Sequence, residues 1–296
     1  MIFFNILVTK WEESNLLSHV FKYSLSVFFL FAFYPIQQSV VMNSLGRDTK
    51  MKINAAENVT ISVIYDNNSY QKNLQTAWGF SCLVKTGTIT LLFDTGGDGS
   101  ILMGNMQKLD IDPQEIDVVF LSHFHGDHCG GIYKFLETNP AISVYLPQSF
   151  PKEFKVNLAT YGAKVVDVNK SVKIAENIFS SGEIGSEIIE QSLIILTPKG
   201  QIVITGCAHP GIVQIVQRAQ ELFVEPVLLV MGGFHLVGKS KASLCSIIST
   251  LKSLGVQYAA PCHCCGDMAH RKFAQEFGQA YLNFGVGKII NLEDLK

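Results

Sequence analysis

The chain has 296 residues, a formal net charge of −2, and 16% charged against 48% hydrophobic residues. Soluble domains carry about 25% charged residues, so the chain leans apolar and is not a wholly disordered protein. The near balance of 23 basic and 25 acidic residues, with no basic stripe, argues against nucleic-acid binding driven by bulk charge.

The apolar excess begins at the N terminus. Seven of the 20 phenylalanines are Phe3, Phe4, Phe21, Phe28, Phe29, Phe31 and Phe33, and no charge falls between Tyr23 and Gly46. The strongly apolar part, Leu25 to Ile36, is short of the roughly 20 residues that span a bilayer as a helix. No A-x-A-like cleavage site follows it, and Glu12 and Glu13 interrupt a basic leader. Residues 1–50 therefore read as an apolar extension with three explanations. These are a membrane anchor through about Leu16 to Ile36, an atypical signal, or translation upstream of a start at Met42 or Met51. Membrane contact is expected only through this segment.

Residues 51–296 are expected to form one domain. Seven cysteines is an odd number, and Cys129, Cys207, Cys262, Cys264 and Cys265 crowd beside histidines rather than spacing out as staples. That favours a reducing, cytoplasmic compartment for this part. Val59 to Tyr65 alternates as a half-buried strand does. Phe80 to Val84, a Thr86-Gly87-Thr88 turn and Ile89 to Phe93 form a predicted hairpin. Asp94-Thr95-Gly96-Gly97 ends it, and Ser100 is expected to cap a helix reaching Leu109. Asp117 to Leu121 is a continuous apolar run, as in a strand covered on both faces. A helix over 131–138 and a strand over 143–146 follow.

The second half repeats this texture. Leu193 to Thr197, Pro198-Lys199-Gly200 and Ile202 to Thr205 make another apolar hairpin. Helices are predicted over 212–222, 244–254 and 268–277, and strands over 227–231 and 258–260. Two hairpins, each leading into βα units, suggest a two-sheet sandwich with helices outside and a site along one edge.

The chemistry sits at the strand ends. In His123-Phe124-His125-Gly126-Asp127-His128, the period of two puts His123 and His125 on one face of an extended chain. Gly126 is expected to let the backbone turn, so that Asp127 and His128 aim at a neighbouring point. Imidazoles and a carboxylate suit Zn²⁺, one ion or two, or Fe and Mn ions. His209 and His263 follow apolar strands and are candidate ligands with His123, His125, Asp127 and His128. His235 reads as facing substrate or supporting a ligand, and Cys207 as a thiolate ligand or a small buried residue. Asp94 is expected to orient a metal-bound histidine or to cap the backbone after it.

The His123–His128 run resembles the signature of the metallo-β-lactamase fold superfamily, and Phe93-Asp94-Thr95-Gly96 resembles its first motif. The resemblance covers about residues 57–292. Gly206-Cys207-Ala208-His209-Pro210-Gly211, Gly232-Gly233-Phe234-His235-Leu236 and Pro261-Cys262-His263-Cys264 are similar to a narrower branch. That branch holds the methanopterin-related dihydropterin ribofuranosyl-aminobenzene phosphate synthase-like proteins. The resemblance implies a mixed α/β, four-layer αββα sandwich with a one- or two-metal centre. In the common pattern a histidine precedes the second hairpin and an aspartate ends its second strand and bridges the metals. Here Glu183 and Cys207 stand at those places, and Cys265 stands where the branch usually has threonine.

The reading that follows is metal-dependent hydrolysis of a small molecule carrying an ester, lactone, amide or phosphate-type bond. A hydroxide generated on the metal attacks the polarised centre, and Asp127 orients the water and receives a proton. The alternatives are a pterin-related transferase or synthase on the same fold, and a metal-binding module without catalysis. Gly233 to Ser240 also matches G-x-x-x-x-G-K-[ST] after a strand and before a helix. No apolar strand ending in aspartate follows to hold Mg²⁺. A weaker form keeps Lys239 near a phosphate or carboxylate of the substrate, and Trp78 either lines a pocket or fills the core. Cys262-His263-Cys264-Cys265 contains one C-x-x-C, but no thioredoxin-like βαβ start surrounds it.

Overall fold

The computed structural model describes residues 56–296. The apolar stretch Leu25 to Ile36, with its anchor, signal and start-site readings, lies outside the described residues. Among those, no helix is long and apolar enough to cross a membrane.

The first half runs β1 (Thr60–Tyr65), β2 (Ser81–Lys85), β3 (Thr90–Phe93), α1 (Gly99–Lys108), β4 (Val118–Phe120) and α2 (Gly126–Cys129). It continues through α3 (Ile132–Leu136), β5 (Ser143–Pro147), α4 (Lys152–Thr160) and β6 (Lys164–Val168). The second half runs β7 (Lys170–Ala175), β8 (Ile178–Gly182), β9 (Leu193–Thr197), β10 (Gly200–Thr205), α5 (Ile212–Leu222) and β11 (Val227–Gly233). After these come α6 (Lys241–Ser253), β12 (Tyr258–Cys262), α7 (Gly266–Phe277) and β13 (Ile289–Asn291).

The strands form two sheets, ordered β13-β1-β2-β3-β4-β5-β6 and β12-β11-β10-β9-β8-β7. Strands β3 to β6 pair in parallel, as do β10 to β12, while each hairpin half is antiparallel. Strand alternation decides the layers. Ile61, Val63, Val84, Leu91, Phe93 and Phe120 of the first sheet meet Leu193, Ile195, Ile202, Ile204, Leu229 and Met231 of the second in one buried core. The opposite faces hold the helices. Ile64, Leu92, Val119 and Val144 pack on Leu102, Met106, Ile132 and Phe135. Ile194, Val203 and Val230 pack on Ile215, Val216, Leu244, Ile248 and Phe273. The result is an αββα sandwich, the architecture expected from the sequence.

Local corrections have simple causes. The cap of α1 is Asp98, not Ser100: its carboxylate accepts the backbone N–H of Ser100 and Ile101. The strands absent from the sequence reading include β6, β7 and β13, which lie at sheet edges. There Lys164, Asp167, Lys170 and Lys173 break the apolar pattern, as edge strands commonly do.

Candidate metal centre

In both sheets the loops that bear the candidate residues leave the C-terminal ends of strands in the parallel part. Asp94 follows β3, His123 to His128 follow β4, Cys207 and His209 follow β10, His235 follows β11 and His263 follows β12. Parallel order gathers these ends at one edge of the sandwich. Of the six non-glycine residues with positive φ among those described, four lie here: Asp94 (φ 52°), Ala208 (56°), His235 (51°) and His263 (49°). Such conformations cost about 1–3 kcal/mol each and persist where surrounding structure enforces them.

His125 is extended, and α2 starts at the next residue, with His128 and Cys129 donating back to the His125 carbonyl. The turn is thus a helix start rather than a glycine bend. Gly126 is not among the positive-φ glycines, and a Cβ there would meet nothing within 4 Å. Asp127 and His128 are nevertheless swung toward the second sheet.

Three donor sets result, each with its ligand atoms within 4.8 Å of one another: His123, His125 and His209; Asp127, His128, Cys207 and His263; and Cys207, His209 and His235. His123 Nε2 lies 3.1 Å from His125 Nδ1, and His128 Nε2 lies 3.2 Å from Cys207 Sγ. Asp127 Oδ2 lies 3.2 Å from His263 Nε2 and 3.7 Å from His128 Nε2. Glu183 is in none of these sets. Its carboxylate accepts from the Ser149 backbone N–H at 2.7 Å and from Asn169 Nδ2 at 3.0 Å, tying two loops together.

Buried partners aim the donors. Asp94 Oδ2 sits 2.7 Å from His128 Nδ1 and accepts from Ser122 Oγ, while Oδ1 accepts the Ser122 N–H. Ser122 Oγ in turn lies 2.9 Å from His123 Nδ1. One carboxylate therefore orients two imidazoles, leaving their Nε2 atoms toward the centre. Asn67 grips His263 in the same manner from the loop after β1. Glu190, fully buried, accepts four backbone N–H groups, from Gly206, Cys207, Ala208 and His209. Ser122, Asn67 and Glu190 were not among the residues singled out from sequence. The available signals were Asp66-Asn67-Asn68 after a strand, and a lone carboxylate beside the apolar run of β9.

Charge follows from this packing. Burial and neighbouring imidazoles hold His123 well below its ordinary range, and burial with His235 and His125 brings His209 down to about 4. Both are neutral at pH 7, the form that ligates metal. Burial opposes the His128 cation, but Asp94 outweighs it and raises the imidazole. Burial also opposes ionisation of Asp127, yet the contacts with His263 and His128 hold its carboxyl well below the carboxylate range. The hydrogen bond between the two sulfurs lowers the Cys264 thiol, helped by His235, and with burial raises that of Cys207.

The residues fit a divalent cation. The donors are imidazole, carboxylate and thiol, with no lysine or arginine among them. His209 Nε2 is buried with no hydrogen-bond partner, and His263 Nε2 has only the Asp127 contact, off the hydrogen-bond line. Such orphaned imidazole nitrogens are costly unless something binds them.

Two rival motifs find other uses. The backbone N–H groups of Leu236 and Val237 donate to the Cys264 carbonyl, and those of Phe234 and His235 to the sulfurs of Cys265 and Cys264. Four successive N–H groups of the Gly233–Ser240 stretch are thereby spent on the chain itself and cannot cradle phosphate. The same contacts use Cys264 and Cys265 as acceptors, and every cysteine among the described residues is a free thiol.

A family model for the metallo-beta-lactamase superfamily matches residues 79–216. The chain is 29% identical over 293 residues to the 7,8-dihydropterin-6-methyl-4-(beta-D-ribofuranosyl)-aminobenzene-5'-phosphate synthase of Methanocaldococcus jannaschii, covering 81% of this chain and 99% of that protein. A second M. jannaschii protein, uncharacterised, is 30% identical over 78% of this chain and its own full length. Among solved structures, a metal-dependent hydrolase of the beta-lactamase superfamily superposes with a TM-score of 0.67 at 30% identity, covering 78% of this chain and 98% of that one.

Proposed function

The chain belongs to the metallo-beta-lactamase superfamily, and from that membership we propose that it is a metal-dependent enzyme that hydrolyses an ester, lactone, amide or phosphate-type bond of a small molecule. The observation that carries this is the pair of donor sets, His123–His125–His209 and Asp127–His128–Cys207–His263, facing each other at one sheet edge. Their chemistry favours zinc, in one or two copies, over iron or manganese. A cation bound there supplies Lewis acidity to a carbonyl or phosphoryl oxygen and acidifies water.

The chain's own groups do the rest. Asp127 is partly open, at 22% side-chain exposure, and its depressed pKa keeps it an anion. It therefore serves better to bind and orient through Oδ2 than to hold a proton, which narrows the role expected from sequence. His235 is exposed and lines a cavity of about 560 Å³ with His209, Pro210, Gln214 and Glu187. The Cys264 sulfur raises its pKa, so its imidazolium can donate a proton to a leaving group in that cavity.

A second reading is favoured by the M. jannaschii synthase, which matches along 99% of its length. There the same centre would activate a substrate group for transfer to a pterin-related acceptor instead of activating water. Metal analysis of the purified protein, with a panel of esters, lactones and phosphodiesters assayed before and after chelation, tests the first reading. Chelator-sensitive turnover is expected. Metal uptake with no hydrolysis, but with joining of a dihydropterin to a ribofuranosyl-aminobenzene phosphate, would overturn it in favour of the second. Metal uptake without either reaction would leave a binding module.

A further inference from the structure

We propose that Cys207, His209 and His235 form an entry site, where an incoming divalent cation is held before it passes to the two deeper donor sets. The inference rests on the reading of the centre as a metal site and adds the route by which that site loads.

The side chains come from the ends of two neighbouring strands. β10 and β11 pair in parallel as far as Thr205 and Gly232, and the loops beyond stay in contact. The Gly233 N–H donates to the Gly206 carbonyl at 3.0 Å. A Cβ at Gly233 would stand 3.2 Å from the Cys207 Cα and 2.8 Å from Cys264 Sγ. Glu190 fixes the Gly206–His209 loop on one side. On the other, the His235 N–H donates to Cys264 Sγ at 3.2 Å, and a φ of 51° turns its backbone. The rings of His209 and His235 then lie 4.5 Å apart between centroids. The ligand atoms of Cys207, His209 and His235 all fall within 4.8 Å of one another.

Two features set this group apart. His235 is its exposed member, while His209 is half-buried and Cys207 buried, so the group runs from solvent to the interior. His209 and His235 both line the 560 Å³ cavity, which also carries the exposed carboxylate of Glu187. Lys239 lines the smaller cavity of about 170 Å³ beside the same histidines. A cation is therefore drawn in from the Glu187 side.

The second feature is sharing. His209 also belongs to the His123–His125 set, and Cys207 to the Asp127–His128–His263 set. An ion on the entry site already holds one ligand of each deeper set. It moves inward by exchanging one protein ligand for the next, without the cost of a bare, desolvated charge. Imidazole and thiolate suit Zn²⁺, and Cys207 releases its proton to solvent as the ion arrives.

The test is stopped-flow uptake of Zn²⁺ by chelator-stripped full-length protein, read with a fluorescent zinc indicator. Release to excess chelator and affinity at equilibrium are measured on the same samples. His235→Asn and His235→Asp form a matched pair, since both side chains tolerate positive φ and only the carboxylate is a good zinc ligand. His235→Asn should slow uptake and release alike by about tenfold and change affinity by less than about twofold, because a stopping point alters the barrier and not its ends. His235→Asp should restore both rates. An unchanged uptake rate in His235→Asn overturns the proposal. So does a matching loss of affinity, which would make His235 a resident ligand. Wild-type protein that takes up no zinc overturns the reading of the centre together with this inference. The expected kinetics without turnover of any substrate sink the hydrolase alone.

Discussion

Asn67 holds His263 at two points: its Nδ2 donates to the His263 carbonyl at 3.1 Å, and its Oδ1 lies 2.9 Å from His263 Nδ1. The carboxamide thus pairs with Nδ1 and aims Nε2 at Asp127. It also steadies a residue held at a positive φ of 49°. Asn67→Ala should lower zinc affinity at the Asp127–His128–Cys207–His263 set by about 10–100-fold, the usual effect of losing a partner behind a ligand. Competition with a chromophoric chelator measures it, and an unchanged affinity would remove Asn67 from the centre.

Glu190 should be the most expensive residue to lose. Its Oε1 accepts three N–H groups at 2.9–3.0 Å and its Oε2 a fourth, that of His209, at 2.9 Å. Glu190→Ala strands four donors in a buried loop, and the expected destabilisation is at least about 3 kcal/mol. Glu190→Gln keeps a carbonyl oxygen for the Gly206–Ala208 donors but turns an NH₂ toward the His209 N–H, so it should cost less. Urea denaturation reads both. Equal stability of Glu190→Ala and wild type would mean that water or a shifted backbone satisfies the loop.

What was legible in the sequence had a period or a motif behind it. The alternation of β1, the apolar hairpins β2–β3 and β9–β10, and the unbroken apolar run of β4 follow from burial on one face or two. The clustering of His123 to His128 followed from spacing alone. Of the partners behind those ligands, Asp94 was legible from its motif, but Asn67 and Glu190 were not, because their contacts are long-range: Asn67 meets His263 across 196 positions, and Glu190 meets Cys207 across 17. Glu183 stands where the common pattern has a histidine, but which of its contacts would matter was not legible, since both its carboxylate oxygens are taken by neighbouring loops. Gly126 misled because a helix start and a glycine bend look alike in sequence.

Gly79 and Gly126 make a paired test of where a glycine is needed. At Gly79 an added Cβ would lie 2.4 Å from the Asp127 carbonyl oxygen and 3.0 Å from Tyr65, in a backbone conformation L residues rarely adopt. Gly79→Ala should therefore destabilise the fold by about 2 kcal/mol or more and weaken metal binding at the Asp127 set. At Gly126 nothing lies within 4 Å, so Gly126→Ala should be neutral, or stabilising by up to about 1 kcal/mol as in other helical positions. Thermal melts with metal titration decide it. Two variants of equal stability would show that the Gly79 contact relaxes freely.

The metal-free protein should lose stability on the acid side of neutrality, and the sign follows from its imidazoles. In the unfolded chain His209 and His123 take up a proton near pH 6.5. In the folded chain burial and neighbouring imidazoles delay protonation of His209 to about pH 4 and hold that of His123 well below its ordinary range. Between these limits the unfolded state binds more protons than the folded one, so unfolding becomes easier as pH falls. The stability tied to these two groups is fully present above pH 6.5 and drains away through the folded-state values. His128 acts in the opposite sense and in a higher window, because Asp94 raises its folded value: its contribution is fully present below pH 6.5 and is lost as pH rises through the folded value. His209→Gln should therefore flatten the fall between pH 6.5 and 4 in chelator-treated protein, while Asp94→Asn should remove the loss that His128 causes above pH 6.5. Urea midpoints taken at half-unit intervals from pH 4 to 8 measure both slopes, and a His209→Gln profile parallel to wild type would show that His209 is already protonated in the native state.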